Sequence, residues 1–195
     1  SQHIHLSLWD GDKNLFHQPQ KEGFISGLMS HFTAGILHCM PHIQPMYAPV
    51  TNSYKRYVEG SWAPTRVSWG TENRTTAVRI IPGSASSARI ENRLPGSDAN
   101  PYLAMVATLA SGLYGIRNEL SLSEEVRGNA YELDKLPALH TTLEEATTAM
   151  KESPIAAEIF GDDFARHFVE TREWEIRQQQ QNDPDWERKR YFEVI

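Results

Sequence analysis

The spacing of hydrophobic residues changes period along the chain, and this change restricts the fold more than any other feature. Residues 3–9 alternate strictly, with His3 and His5 on one side and Ile4 on the other, which predicts a half-buried strand with a polar face. Residues 51–94 are rich in β-branched residues, and their short alternations predict strands joined by loops. Elsewhere apolar residues recur at helical spacing. The chain is therefore predicted to be one α+β unit.

Capping residues and prolines locate the predicted helices. Apolar spacing predicts an amphipathic helix over residues 25–38, which ends there because Pro41 follows. Asn100–Pro101 is a favourable start for a second helix, with an N-cap residue followed by proline at the first helical position. A capping box predicts a short helix over residues 142–151, and a further helix is predicted over residues 162–181.

Composition argues against two classes of function. The 195 residues include 25 acidic and 19 basic side chains, and the net charge of -6 has the wrong sign for nonspecific nucleic-acid binding. No run of about 18 apolar residues occurs, so the sequence predicts no membrane span. Cys39 is the lone cysteine, which excludes an internal disulfide and favours the reducing cytoplasm. The chain begins with Ser1 instead of methionine, and we expect part of the active machinery to lie outside it.

Arginines are concentrated in the middle of this acidic chain. A strand over residues 89–93 would place Arg89, Glu91 and Arg93 on one face and Ile90 in the core. Guanidinium groups bind phosphoryl oxygens bidentately and stabilise the charge that develops during phosphoryl transfer. A single arginine is most often solvated surface charge, but this density predicts a phosphate-binding site. The six arginines of this stretch are Arg56, Arg66, Arg74, Arg79, Arg89 and Arg93.

A histidine pair near the start of the chain suggests a metal site. His3 and His5 would project from one face of a strand, which is a common metal-binding geometry, although two histidines alone are a weak signal. Glu91 would add a hard oxygen ligand if its strand lies beside them. This mixed donor set favours Mg²⁺ or Mn²⁺ acting on a nucleotide over a structural zinc site. The sequence has no Walker loop, and residues 82–87 fit a hairpin loop better than a phosphate cradle.

Five ordered segments resemble the successive sequence blocks of glutamine synthetases. They are His3–Ser7, Asn52–Arg56, Asn73–Thr75 with Arg79 downstream, Arg89–Arg93 and Asn100–Ala104. Order and spacing match together, and the resemblance continues to Arg190–Glu193, so it covers essentially the whole chain. Residues 1–195 are similar to the C-terminal portion of such catalytic domains. This implies that the small N-terminal domain and the first part of the catalytic domain are absent.

The resemblance implies a fold, a reaction and a set of roles. The expected fold is a curved antiparallel sheet flanked by helices, which is half of a catalytic domain of the glutamine synthetase and guanido kinase type. In the implied reaction ATP phosphorylates the γ-carboxylate of glutamate, and an amine then displaces phosphate. His3 and Glu91 would bind the metal ion. Arg56 and Arg93 would bind glutamate, and Arg74 would contact the transferred phosphate. Arg74 and Arg93 would therefore act in catalysis. The residues implied to bind the nucleotide are His5, Ser7, Arg79 and Arg89.

One segment departs from the family pattern. Glutamine synthetases that use ammonia follow the Lys-Arg pair with a Pro-Gly-Tyr-Glu flap, whose glutamate helps to deprotonate ammonium. Here the segment is Glu59–Pro64, and Trp62 takes the position of that glutamate. An indole cannot accept a proton, so the pattern looks more like relatives that join glutamate to monoamines or polyamines, with Trp62 in the substrate site. Simple packing of Trp62 within the loop is the alternative.

The leading hypothesis is a glutamate-amine ligase that binds ATP, glutamate, Mg²⁺ or Mn²⁺ and an amine larger than ammonia. In the intact enzyme this chain would join the absent N-terminal half and form a homo-oligomer, and we expect it to be inactive by itself. Plain glutamine synthesis from ammonia and an inactive structural protein on the same scaffold are alternatives. A guanidine kinase is a further alternative, but it lacks support from a reactive cysteine, because Cys39 lies on the apolar helix.

Overall fold

The structure, a computed structural model, describes residues 1–18, 25–182 and 185–192. Glu193, at the end of the glutamine synthetase-like segments, lies outside these ranges. The strands are β1 Ile4–Leu6, β2 Trp9–Asp10, β3 Lys13–Asn14, β4 Trp69–Thr71, β5 Val78–Ile81 and β6 Arg89–Asn92. The α-helices are α1 Gly27–Ile43, α2 Pro101–Arg117, α3 Leu143–Glu152, α4 Pro154–Phe160, α5 Asp162–Gln181 and α6 Trp186–Tyr191. None of these helices is long and apolar enough to cross a membrane.

Four strands form one sheet in the order β1-β6-β5-β4, and β2 and β3 form a separate hairpin. β6 runs antiparallel to both of its neighbours, so the sheet is rich in antiparallel pairs, as expected. β4 and β5 are parallel, which no sequence pattern indicated. Residues 72–77 connect them and are far fewer than the roughly dozen residues that a parallel connection usually needs. This connection is a tight return loop, in which Glu72 has a φ of 52°.

The sheet separates a hydrophobic core from a charged face. Ile4, Ile80 and Ile90 are buried in the same core cluster as Phe32 of α1. Because side chains alternate along a strand, the residues between them point to the opposite face. Those residues are His5, Glu91 and Arg79, which the pairing registers align in one row across the sheet.

Helices α1 and α2 touch through glycines. A Cβ atom added at Gly35 would lie 2.2 Å from the carbonyl oxygen of Ser111 and 2.5 Å from the amide nitrogen of Gly115. A Cβ atom added at Gly115 would lie 2.1 Å from the carbonyl oxygen of His31. The two backbones are therefore in direct contact.

Helix α1 is longer than predicted. It continues through Pro41 to Ile43 instead of ending near His38. Proline removes one helical N–H donor, but Met40 and Ile43 on either side of it are buried, and Nε2 of His140 lies 3.1 Å from the Pro41 carbonyl oxygen. Gln44, directly after the helix, donates a 2.9 Å hydrogen bond to the His140 carbonyl oxygen. Tertiary packing therefore extends the helix past a residue that usually stops one.

The predictions for α2, α3 and α5 are confirmed, while other elements differ. Asn100 caps α2, with its Oδ1 accepting a 3.0 Å hydrogen bond from the amide of Tyr102, and Pro101 is the first helical residue. Helices α4 and α6 were not predicted. Residues 51–56, expected to contribute to strands, form a 3-10 helix.

Candidate active site

The row of His5, Glu91 and Arg79 is the centre of the charged face. Glu91 is the most deeply buried of the three, with 3% of its surface exposed. It lies in β6, the central strand between β1 and β5, so both neighbouring strands direct polar side chains toward it. The register, which depends on long-range pairing, therefore assembles this group.

Glu91 has partners on both carboxylate oxygens. Nδ1 of His3 lies 2.9 Å from Oε1, and Nη1 of Arg93 donates to the same oxygen at 2.8 Å. Nη1 of Arg79 donates to Oε2 at 3.1 Å. Burial by itself would raise the pKa of Glu91, but the charge of Arg93 and the hydrogen bond from Arg79 outweigh burial and hold the pKa below its usual range. Glu91 is therefore an anion at neutral pH.

The charge row continues through a second carboxylate. Glu72, on the return loop, accepts a 3.0 Å hydrogen bond from Nε of Arg79 and also pairs with Nη2. Burial opposes the charge of Arg79, but Glu72 and Glu91 together raise its pKa above the usual value. Arg79 is thus held between two carboxylates in one orientation. The sequence reasoning missed Glu72, although an acidic residue directly before Asn73–Arg74 was a visible signal.

A cleft of about 490 Å³ opens above this row. Arg74 is exposed at its edge and makes no hydrogen bond or ion pair with any other residue that the structure describes. A guanidinium without an anionic partner beside a polar cleft is suited to bind an anionic ligand. The structure brings seven side chains together here: His3, His5, Trp62, Arg74, Arg79, Glu91 and Arg93.

Two of the proposed metal ligands are adjacent. The 2.9 Å between Nδ1 of His3 and Oε1 of Glu91 is close to the separation of neighbouring ligands around a small divalent ion with bonds of about 2.1 Å. Burial, followed by the charge of Arg93, lowers the pKa of His3, which favours the neutral ring that a metal requires. Within the described ranges no group of three histidine, cysteine or acidic residues is arranged to hold an ion. The donor pair therefore fits part of a metal site.

Three other predicted residues lie outside the lining of the cleft. Arg56 donates to the Leu94 carbonyl oxygen and stacks over the Tyr57 ring at 4.7 Å, while its Nε and Nη1 are buried without hydrogen-bond partners. Arg89 donates to Nδ1 of His5 at 3.2 Å. Ser7 accepts a 2.8 Å hydrogen bond from the indole of Trp9. Arg56 therefore retains donor capacity, whereas Arg89 acts on the site through His5.

The loop that carries Trp62 is held at its base while the indole remains exposed. Trp62 has a φ of 64°, an unusual value for a residue with a side chain, and 62% of its surface is exposed. Its carbonyl oxygen accepts a 3.2 Å hydrogen bond from Nη2 of Arg93. The next carbonyl, of Ala63, accepts a 2.8 Å hydrogen bond from the hydroxyl of Tyr131. Tyr131 was not predicted to take part in the site.

A second cavity of about 700 Å³ adjoins the cleft and shares three of its side chains, Trp62, Arg74 and Arg79. The return loop forms one wall, and residues 125–128 form another. Side chains of the loop tie these walls together, because Nδ2 of Asn73 donates to the Val126 and Gly128 carbonyl oxygens at 3.1 and 2.8 Å. No sequence pattern indicated that these distant segments meet.

Residues 1–191 match the family described as the glutamine synthetase catalytic domain. The chain belongs to this family. It is 44% identical to type-1 glutamine synthetase 2 of Dictyostelium discoideum over 99% of the chain and 38% of that protein. Family membership confirms the resemblance drawn from the five sequence segments.

Other family members are named for reactions with substituted amines. The glutamate-isopropylamine ligase of a Pseudomonas species is 40% identical over 100% of the chain and 43% of that protein. The gamma-glutamylethanolamide synthetase of Streptomyces coelicolor is 44% identical over 98% of the chain and 40% of that protein. A solved structure of a GmaS/ADP complex matches with a TM-score of 0.81 and 30% identity, over 98% of this chain and 46% of that one. The chain thus spans less than half the length of these family members.

Proposed function

We propose that this chain provides part of the active site of an ATP-dependent ligase that joins the γ-carboxylate of glutamate to an amine larger than ammonia. The observation that carries the proposal is the cleft in which Glu91, Arg79, Arg93 and the unpaired Arg74 converge. Family relatives named for ligation of isopropylamine and ethanolamine support the same chemistry.

The proposed reaction has two steps. A γ-carboxylate oxygen of glutamate attacks the terminal phosphorus of ATP, the bond to the bridging oxygen breaks, and ADP leaves. The amine nitrogen then attacks the acyl carbon, a C–N bond forms, inorganic phosphate leaves, and the nitrogen loses a proton. Arg74 would contact the transferred phosphoryl group and Arg79 the nucleotide, because fixed guanidinium groups stabilise the charge that develops there.

Arg56 and Arg93, to which the family resemblance assigns glutamate binding, are proposed to bind glutamate. Arg93 is buried and already paired with Glu91, so it is held in one orientation beside the cleft. Arg56 has two buried guanidinium nitrogens without partners, which a substrate carboxylate would satisfy. His5, with Ser7 and Arg89 near it along the edge of the sheet, would contact the nucleotide.

Mg²⁺ or Mn²⁺ is proposed to bind His3 and Glu91, and a bound ion would neutralise phosphate charge. Two ligands leave such an ion incompletely coordinated, so further carboxylates from outside this chain would complete the site. The proposed enzyme is a homo-oligomer in the cytoplasm. The free thiol of Cys39, which is buried, is compatible with that reducing compartment. An exposed apolar stripe on α2, including Tyr102 and Val106, would be covered by the rest of the enzyme.

The choice of amine is attributed to Trp62. Ammonium is small and strongly hydrated, and a site for it needs an anionic group, which an exposed indole does not provide. A longer amine gains binding from its alkyl part, about 0.8 kcal/mol per buried methylene. The indole at the edge of the cleft offers a surface for that contact.

The test compares amines in the full-length enzyme. ADP release is measured with glutamate and a panel of ammonium, isopropylamine and ethanolamine, and the amides are identified by mass. We expect higher kcat/KM with a substituted amine than with ammonium, and a shift toward ammonium in Trp62→Glu. Trp174→Glu, the same change at an exposed tryptophan of α5, is the control and should leave the preference unchanged. Equal or better wild-type turnover with ammonium would contradict the proposal and indicate plain glutamine synthesis.

A further inference from the structure

The second cavity adjoins the cleft. Trp62, Arg74 and Arg79 line both spaces, so a molecule that reacts in the cleft can extend into the cavity without leaving the protein surface. The volume of about 700 Å³ exceeds that of the cleft, at about 490 Å³. A substituent of several non-hydrogen atoms therefore has room there.

The two carboxylates of the second cavity are each paired with an arginine. Glu72 binds Arg79, and Glu125 accepts a 3.2 Å hydrogen bond from Nε of Arg127. A hydrogen bond from Thr71 is the main cause that holds the pKa of Glu125 below its usual range. Each of these carboxylates is therefore already paired with an arginine, and no carboxylate in the described lining is left without a cationic partner.

Arg74, which also lines this cavity, is proposed to contact the phosphoryl group. Apart from Arg74 and the paired charges, the lining residues are uncharged. The indole of Trp62 is 62% exposed there. The other uncharged residues of the lining are Thr71, Asn73, Thr75, Val126 and Gly128. A second ammonium group here would lie among Arg74, Arg79 and Arg127 and would lose hydration without gaining an anionic partner, which is unfavourable. An alkyl or hydroxyalkyl group meets no such penalty.

We propose that the second cavity is the subsite for the substituent of the acceptor amine, and that it takes an uncharged alkyl or hydroxyalkyl group in preference to a second ammonium. This inference rests on the proposed function and narrows it, because it selects small monoamines over diamines and polyamines. Thr71, Val126 and Arg127 are then specificity-determining residues.

The first experiment compares butylamine with 1,4-diaminobutane in the full-length enzyme, because the two amines have the same carbon chain and differ in the second charge. We expect kcat/KM to be about tenfold or more higher for butylamine. Equal or better use of the diamine would overturn the subsite while leaving the amine ligase intact. Turnover with ammonium alone would overturn the proposed function itself.

The second experiment alters the cavity in two ways. Thr71→Phe should lower kcat/KM for butylamine about tenfold while affecting methylamine much less, because the ring fills the space of the longer substituent. Thr148→Phe, the same change at an exposed position of α3, should have no such effect.

Arg127→Gln changes charge instead of volume and replaces a side chain that is 88% exposed, so it should not affect folding. It leaves Glu125 without its arginine, so that this carboxylate can pair with a second ammonium group. We expect the ratio of kcat/KM for butylamine to kcat/KM for 1,4-diaminobutane to fall by about threefold or more. Arg166→Gln removes an exposed arginine from Asp163, away from the cavity, and serves as the control. An unchanged ratio in Arg127→Gln would contradict the assignment even if Thr71→Phe does not fold.

Discussion

The Glu91–Arg93 ion pair on the charged face of the sheet and the contact between α1 and α2 are both buried, but they are held together by opposite means. At the sheet, Glu91 and Arg93 are each at most 4% exposed and are stabilised by ionic partners. At the helix contact, Gly35 and Gly115 bring two backbones together with no side chain between them. The first region depends on ion pairs, and the second depends on glycines that have no Cβ atom.

This difference shows which changes each region excludes. The helix contact tolerates no side chain at Gly35 or Gly115, because a Cβ atom there would lie 2.2 or 2.1 Å from a backbone oxygen. The charged face requires each partner of Glu91, because removal of one partner leaves another charge buried without compensation. A site built in this way is held in position before ligands bind, and it is sensitive to single substitutions.

Glu91→Ala should give the largest loss of stability. It leaves the buried Arg93 without its carboxylate, and breaking a buried ion pair costs about 3–5 kcal/mol. Glu72→Ala, which removes the other carboxylate bound to Arg79 from a position that is half exposed, should cost less than about 1 kcal/mol. Urea unfolding of the two variants measures the difference. Similar losses in both would show that burial does not govern these ion pairs.

Gly35→Ala should have the next largest effect, a loss of about 2–3 kcal/mol, because the new methyl group meets backbone atoms that cannot move aside. Gly27→Ala is the matched control on the same helix, since a Cβ there meets nothing within 4 Å. That control should be neutral or slightly stabilising. If both variants unfold at the same urea concentration, the backbones are not in close contact.

The smallest expected effect is a change of stability with pH in the helical region. Burial, followed by the charges of His38 and His140, lowers the pKa of His42 from its usual 6.5. The unfolded chain therefore binds this proton more readily, so the free energy of unfolding should fall as pH decreases below about 6.5. The slope for one proton cannot exceed about 1.4 kcal/mol per pH unit. His42→Gln should reduce that slope, and an unchanged slope would exclude His42 as its source.

Helices with local signals could be predicted from the sequence. Asn100 and Pro101 start α2 because their own side chains determine the capping geometry and the backbone angle. The end of α1 could not be predicted, because the helix continues past Pro41 through contacts with His140, which is distant in the sequence. Long-range packing outweighed a local signal there.

The side chains that line the cleft could be named from the sequence, whereas their arrangement could be predicted only in part, and the roles assigned to them stay predictions. Family motifs identified Glu91, Arg74 and Arg79, and the period of a strand put Glu91 and Arg93 on one face. No local pattern indicated that β4 lies parallel to β5. The hydrogen bond from Arg79 to Glu72 depends on the return loop between these two strands. The hydroxyl of Tyr131 was missed for the same reason, since its partner in the Trp62 loop is remote in sequence.

The hydrogen bonds between the return loop and residues 126–130 also have a consequence for the order in which parts of the chain fold. Asn73 is held by carbonyl groups of Val126 and Gly128, and Thr75 accepts a 2.9 Å hydrogen bond from the amide of Ala130. Closing a loop of this length costs chain entropy before the contacts form. Arg74, between these two anchors, can reach its final position only after the segment around residue 130 has left the ribosome. We therefore expect a nascent chain that ends before that segment to contain α1 and α2 in contact while Arg74 is still unplaced.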